Sequence, residues 1–391
     1  MKQYNFDEII DRTGTSCVKW DIREMFFKKQ DVLPMWVADM DFKTPDFIVD
    51  AVKQRAEHPV YGYTIRPESY YTSLINWIDK KHRWKIDKDW VIFSPGIVPA
   101  VNMAVMAYTK PGDKIIVQPP VYFPFFGAVK DNGRQLVNNQ LKLNNGRYDM
   151  DFEDLEKQID NRTRMIIISN PHNPGGSAWT KEELTRLGEI CIKHNLILIS
   201  DEIHSDLAIP PNKHTVAANL SKEIAGVTVT MMAPSKTFNL AGMASSSVII
   251  SNEKLRNDFQ IMLDRVHVGM RNLFGMVASE AAYTHGEEWL NQMLIYVKGN
   301  IDFMEEYISK NIPKVKMIRP EATYMVWLDF RELAMDNDTL KQFIIEKAGL
   351  GLNDGPVFGP GGEGFQRINL ACPRAYVEEA MNRLENAIKT F

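Results

Sequence analysis

The sequence predicts an α/β protein built on a mostly parallel sheet flanked by helices, with a smaller α+β part attached. Three observations lead there. Strand candidates in the middle of the chain are unbroken apolar runs, the pattern of strands covered on both faces. They alternate with helical stretches, as in a parallel α/β sheet. From residue 288 that alternation stops, and long helices with scattered strands replace it.

Taken in order, residues 1–46 show no regular periodicity and are expected to pack on the C-terminal part. Trp90–Phe93 reads as a strand, and Ser94-Pro95-Gly96 as the turn into an Ala-, Val- and Met-rich helix, Val98–Tyr108. Lys114–Gln118 is a strand ended by Pro119-Pro120. Met165–Ser169 is the next, followed by the turn-rich Asn170–Gly176. Thr180–His194 is helical, because Thr180 can cap it and Glu183, three residues on, completes a capping box. Leu196–Ser200 and Val227–Met232 are the remaining strands of this part. Beyond it, Glu288–Lys310, Thr339–Ala348 and Arg374–Thr390 read as helices, and Val315–Ile318, Tyr324–Asp329 and Gln366–Leu370 as strands. Gly355–Gly364 is a mobile-loop candidate. The expected division is a large α/β domain over 47–287 and a small α+β domain made of 1–46 plus 288–391.

Bulk properties narrow the function. With 391 residues, 45% hydrophobic and 25% charged, the chain suits a globular protein of two domains. Net charge is −4 with both signs mixed, so no nucleic-acid partner is expected. No run nears the roughly 20 apolar residues of a membrane span. The opening residues lack an apolar signal core. Cys17, Cys191 and Cys372 are far apart with no Cys-x-x-Cys, so a reducing cytoplasm is expected. There is no P-loop, no Gly-x-Gly-x-x-Gly after a strand and no internal repeat. Around Asp201, Glu202, His204 and Asp206 no second histidine has metal-ligand spacing, so no metal is expected.

In α/β sheets, ligands bind beyond the carboxyl ends of the strands. Five regions lie just past predicted strand ends: Gly96–Val98, Tyr122, Asn173, Asp201 and Lys236. A lysine there is placed to form an imine with an aldehyde cofactor. Pyridoxal 5′-phosphate needs the rest of the set. Asp201 is the carboxylate that keeps the ring nitrogen protonated. Asn173 can donate to the ring oxygen, and Tyr122 offers a face to stack on. The turn opening the helix at Ile97 and Val98, with Ser235, can take the phosphate. Arg367, on a strand, can clamp a substrate carboxylate.

Several motifs resemble fold-type I pyridoxal-phosphate enzymes of the aminotransferase class I/II superfamily. They are Asn-Pro-His-Asn-Pro-Gly-Gly (170–176), Ser-Asp-Glu-Ile-His (200–204), Ala-Pro-Ser-Lys-Thr-Phe-Asn (233–239) and Arg-Ile-Asn (367–369). More narrowly, Pro-Met-Trp-Val-Ala-Asp-Met-Asp-Phe (34–42), Val-Lys-Trp-Asp (18–21), Tyr-Gly-Tyr (61–63) and Pro-Gly-Ile-Val-Pro-Ala (95–100) are similar to MalY/PatB-type carbon–sulfur β-lyases. The likeness covers nearly the whole chain. It implies a seven-stranded-type sheet of the transferase fold and a homodimer with sites at the interface. It also implies roles for named residues. Lys236 would hold the cofactor and act as base at Cα. Tyr61 would reach the phosphate from a second subunit. Backbone near Val37-Ala38 would help Arg367 bind substrate. His204 either helps hold the ring oxygen of the cofactor or only supports Asp201. In the general aminotransferase pattern an arginine stands eight residues after the lysine and a tyrosine three after the aspartate. Here those positions are Ala244 and His204, which tilts the expectation toward lyase chemistry.

The expected reaction is α,β-elimination from cystathionine or related cysteine S-conjugates, giving a thiol, pyruvate and ammonia. An aminotransferase using the same site is the first alternative. A regulatory protein that keeps the cofactor but acts through a partner surface is the second.

Overall fold

Apolar runs without polar alternation need cover on both sides, and here helices supply it. The computed structural model describes residues 2–270 and 272–390. Its central sheet has seven strands, numbered along the chain: β1 Val91–Ser94, β2 Lys114–Val117, β3 Gln135–Asn138, β4 Thr163–Ser169, β5 Ile197–Asp201, β6 Thr228–Met232 and β7 Ser246–Ile249. Their spatial order is β1-β7-β6-β5-β4-β2-β3. All neighbours are parallel except β7, which runs antiparallel to both β1 and β6. Side chains alternate between two apolar layers, as the pleat requires. Ile115, Val117, Ile167, Ile199 and Val229 enter one, and Ile116, Ile166, Ile168 and Leu198 the other.

The five strands read from the sequence are all present, with ends shifted by one or two residues. Trp90, for example, closes a short 3-10 turn, Lys88–Trp90, instead of opening β1. Two strands escaped the apolar-run criterion. β3 is an edge strand, flanked by polar Gln135 and Asn138 and only half covered. β7 begins in a serine run. The helix Lys181–Lys193 carries the expected capping box: Thr180 Oγ1 accepts from the Glu183 N–H at 3.1 Å, and Glu183 accepts from the Thr180 N–H at 2.7 Å. Thr180→Ala is expected to cost about 1 kcal/mol, read as a lower urea midpoint. An unchanged midpoint would show that the box contributes nothing.

The smaller sheet is antiparallel, in the order Lys316–Ile318, Met325–Asp329, Phe365–Asn369, Asn353–Asp354. The long helix Glu287–Asn311 and the closing helix Arg374–Lys389 share one apolar cluster with it. Residues of the N-terminal segment bond to this part: Leu33–Pro34 pairs in parallel with Leu350–Gly351, and the Asn369 N–H donates to the Met35 carbonyl. The helix expected over 339–348 is instead Asn337–Gln342, capped by Asp336, continued by a wider turn, Phe343–Lys347. The glycine-rich stretch expected to be mobile is close-packed. A Cβ on Gly355 would sit 2.0 Å from the Gly362 carbonyl oxygen, and one on Gly362 2.1 Å from that of Gly355.

Because β1, β2, β4, β5 and β6 point the same way, their carboxyl ends lie along one edge. Arg367 on the small sheet faces that edge.

Candidate active site

A cavity of about 370 Å³ opens at this edge. Each strand delivers one group to it. Past β1, Gly96 is the N-cap of the helix Ile97–Tyr108, so the free N–H groups of Ile97 and Val98 face the cavity from a helix N-terminus. β4 leads to Asn173, β5 ends on Asp201, and β6 runs into the helical turn Pro234–Thr237 that carries Ser235 and Lys236. Tyr122, His204, Ala38 and Arg367 complete the predicted set around the same space. Tyr61 is the exception. It is 58% exposed, its hydroxyl donates to the Ala56 carbonyl at 2.6 Å, and it lines a separate surface groove of about 1010 Å³.

The groups in the cavity are electrostatically unfinished. Asp201 is buried, and the Ile203 N–H, 3.1 Å from Oδ1, is the only hydrogen-bond donor its side chain has among the described residues. Burial pushes its pKa up to about 7 against the pull of that N–H and of Lys236. Such a carboxyl is ready for a cationic partner and holds its charge poorly without one. Arg367 is a buried guanidinium with only neutral oxygens around it. Nη1 donates to Asn173 Oδ1 at 2.9 Å, and Nη2 donates to the Trp36 carbonyl at 3.0 Å and to Asn353 Oδ1 at 2.6 Å. Its Nε has no partner among the described residues, and its Cζ lies 5.0 Å from the Phe358 ring centre. Desolvation lowers its pKa to about 10. A buried, unpaired cation of this kind suits a carboxylate ligand.

Asn173 gives its oxygen to Arg367, which leaves its amide nitrogen as the group to offer a ligand, the polarity expected of it. His204 is buried, stands edge-on to Tyr324 at 6.2 Å, and has an unpartnered Nδ1. Burial first, then Lys236 and Arg367, lower its pKa to about 3, so it is a neutral imidazole. Lys236 Nζ donates to the Ala38 carbonyl at 2.7 Å. Desolvation, then the nearby Arg367 charge, bring its pKa down to about 8, while Asp39 and Asp201 oppose the shift. In the cofactor-free chain, acylation of Lys236 is therefore expected to rise with a midpoint near pH 8. Peptide mapping after brief acetic anhydride treatment across pH measures it. A midpoint at the ordinary lysine value would remove the case for an activated amine.

These features fit an aldehyde-bearing, phosphorylated pyridine. An activated amine, a carboxyl awaiting a cation, an orphaned imidazole nitrogen and a helix N-terminus share one small space. Several residues here were not singled out from the sequence. Trp36 and Phe123 wall the cavity, Asn353 holds Arg367, and buried Ser245 lines it too. Tyr324 donates to the Ala38 carbonyl at 3.2 Å. Ser245 follows Ala244, the position already marked as lacking the usual arginine, so a signal for it was present. Asn353 and Tyr324 depend on the register of the small sheet and carried none. Among the described residues no group of three or more metal-ligating side chains forms, and no helix is long and apolar enough to cross a membrane.

Comparison with known proteins agrees with this geometry. The model of the family Aminotransferase class I and II matches residues 30–384. Cystathionine beta-lyase PatB of Bacillus subtilis is 43% identical over 385 residues, covering 98% of this chain and all of PatB. Among solved structures, a PLP-bound protein of Clostridium difficile 630, provisionally named an aminotransferase, superposes with TM-score 0.97 at 47% identity, covering 99% of this chain and all of that one. Cystalysin from Treponema denticola, which contains pyridoxal 5′-phosphate, gives 0.96 at 38% identity with both chains covered in full.

Proposed function

The chain belongs to the aminotransferase class I and II family, and from that premise we propose that it is a pyridoxal 5′-phosphate-dependent carbon–sulfur β-lyase. Its substrates in this reading are cystathionine or related cysteine S-conjugates, cleaved to a thiol, pyruvate and ammonia. The observation that carries it is the convergence of Lys236, Asp201 and Arg367 on one cavity, in a chain similar over its full length to a cystathionine β-lyase.

When bound, pyridoxal 5′-phosphate supplies the electron sink that makes the substrate Cα–H acidic. The protein supplies everything else. Asp201 would pair with the ring nitrogen and keep it protonated. Asn173 Nδ2 would donate to the ring oxygen, with His204 nearby, and Tyr122 would cover a ring face. The N–H groups of Ile97 and Val98, with the Ser235 hydroxyl, hold the phosphate. Arg367 exchanges neutral oxygens for the substrate carboxylate and so fixes which bond at Cα points at Lys236. Once its amine is free, Lys236 would take the Cα proton as a neutral base, a role that its lowered pKa suits. Trp36 and Phe123 keep bulk water from the reacting carbon.

In this reading residues 47–287 form the cofactor-binding domain, and 1–46 with 288–391 the smaller one that brings Arg367 to it. The protein acts as a homodimer, with Tyr61 contributed to the phosphate across the interface, and works in the cytoplasm. The groove around exposed Tyr61, Tyr63 and Met270 supports the dimer.

Incubation with cystathionine and no keto acid tests the reaction. Homocysteine and pyruvate should accumulate over many turnovers. A single half-reaction that then stalls would favour the aminotransferase, the name given to the Clostridium difficile relative.

A further inference from the structure

The segment Trp36–Asp41 is held at every carbonyl from 36 to 40. The Trp36 carbonyl accepts from Arg367 at 3.0 Å, and those of Val37 and Asp39 accept from Asn369 Nδ2 at 2.7 and 2.5 Å. The Ala38 carbonyl takes Lys236 Nζ at 2.7 Å and the Tyr324 hydroxyl at 3.2 Å. The Met40 carbonyl accepts from Asn239 Nδ2 at 2.8 Å and from Arg12 Nη1 at 3.1 Å. One short strap thus bonds both to the lysine and to the arginine of the cavity.

Behind it lies a cluster of two cations and two carboxylates. Arg12 forks onto Asp39, at 3.1 and 2.6 Å, and reaches Asp41 at 2.7 Å. Lys19, fully buried, lies 2.5 Å from Asp41 and 3.8 Å from Asp39. Lys19 and Asp41 are buried and Arg12 and Asp39 mostly so, a costly arrangement that is useful only for the geometry it fixes.

We propose that this strap is the seat of the free Lys236 amine, and that the Arg12–Asp39 ion pair is the positioning element that holds the Ala38 carbonyl under it. The proposal deepens the lyase reading and rests on it for the step that needs a free amine. Seated on Ala38, the amine keeps a fixed place relative to Arg367, because the adjoining Trp36 carbonyl is bonded to that guanidinium. A substrate gripped by Arg367 therefore meets the amine in a set geometry. The charged or titratable groups around Lys236 are Arg367 from the small sheet, Asp201 from β5, neutral His204, Tyr122, Tyr324 and, on the strap, Asp39. Of these, Asp39 is tied to Arg12 and Lys19. Its charge favours the ammonium form, so its loss and the loss of Arg12 act on Lys236 with opposite signs.

Two variants test this, Asp39→Asn, which keeps the shape, and Arg12→Gln, which leaves the Asp39 charge with only Lys19, 3.8 Å away. Lys236 is acylated across pH in each full-length chain after cofactor removal, and kcat and KM for pyruvate release are measured on the holoenzymes. The acylation midpoint should move to lower pH in Asp39→Asn and to higher pH in Arg12→Gln. In both, kcat should fall about tenfold with KM changed less than about twofold, the pattern of a misplaced reacting group. Thermal melts identify a variant that fails to fold, and the other then decides. Unmoved midpoints, or wild-type kcat in a folded variant, would overturn the strap. Opposite midpoint shifts in a protein that releases no pyruvate would uphold the strap and sink the lyase reading instead.

Discussion

Lys236→Ala is expected to lower pyruvate release from cystathionine by at least about 10⁴-fold. Two contributions are lost together, the amine that bonds the cofactor and the base that takes the Cα proton, and the second alone is worth about 10²–10⁴. Borohydride treatment of the wild-type holoenzyme should fix the cofactor on the peptide containing Lys236 and leave no adduct on the variant. The substitution removes a partly buried side chain whose one hydrogen bond goes to the Ala38 carbonyl. The fold should survive, and an unchanged melting temperature would separate lost chemistry from lost structure. An adduct on another lysine, or residual activity within tenfold of wild type, would overturn the assignment.

Asp201→Asn is expected to cost about 10²–10³ in kcat, the scale seen when one preorganised electrostatic partner is removed. The same change should act oppositely on the stability of the cofactor-free chain. Burial raises the Asp201 pKa from its ordinary value to about 7 in the folded state. Between those values the folded chain binds more protons than the unfolded one, so stability falls as pH rises through the window. Above about pH 7 the folded chain carries a buried carboxylate. Asparagine has no charge to bury and still accepts from the Ile203 N–H. The cofactor-free variant should therefore melt higher than wild type at pH 8, with the difference gone near pH 4. With cofactor bound, the ring nitrogen becomes the partner of Asp201 and the advantage should reverse. A variant less stable than wild type at pH 8 in the cofactor-free form would show that Asp201 is satisfied by the protein alone.

The sequence made the core of this architecture readable because covered strands cannot hide. β2, β4 and β5 write their burial as short apolar runs, and β6 as a β-branched and Met run in which Thr228 and Thr230 are buried too. β3 lies at an edge and pays less for polarity, and β7 opens on serines, so neither passes that criterion. The site was legible for the same topological reason. Residues that follow parallel strands must meet at one edge, and Asn173, Asp201 and Lys236 do. Arg367 was legible as an arginine on a predicted strand, and motif likeness added Ala38, whose position no periodicity could supply. What stayed hidden is long-range register. Tyr324 and Asn353 reach their places through pairings of the small sheet, and Arg12 meets Asp39 across 27 positions of chain that carry little regular structure. Charges that distant leave no local pattern.

The one antiparallel strand bears on the order in which the protein can be assembled. β7 lies between β1 and β6, with Ser246 opposite Ser94 and Ser247 opposite Met232. The helix N-terminus at Ile97 follows β1, and Lys236 follows β6. These two strands have no direct bond to each other and are joined only through β7. During synthesis, β1 therefore waits for a sequence-distant partner while β4, β5 and β6 can pair as they emerge. Cofactor affinity should thus rise in chains that extend past Ile249, because a nascent chain stopped before Ser246 would join the two halves of the site only through packing of the helix Ile97–Tyr108 on β5 and β6, with no strand register between β1 and β6.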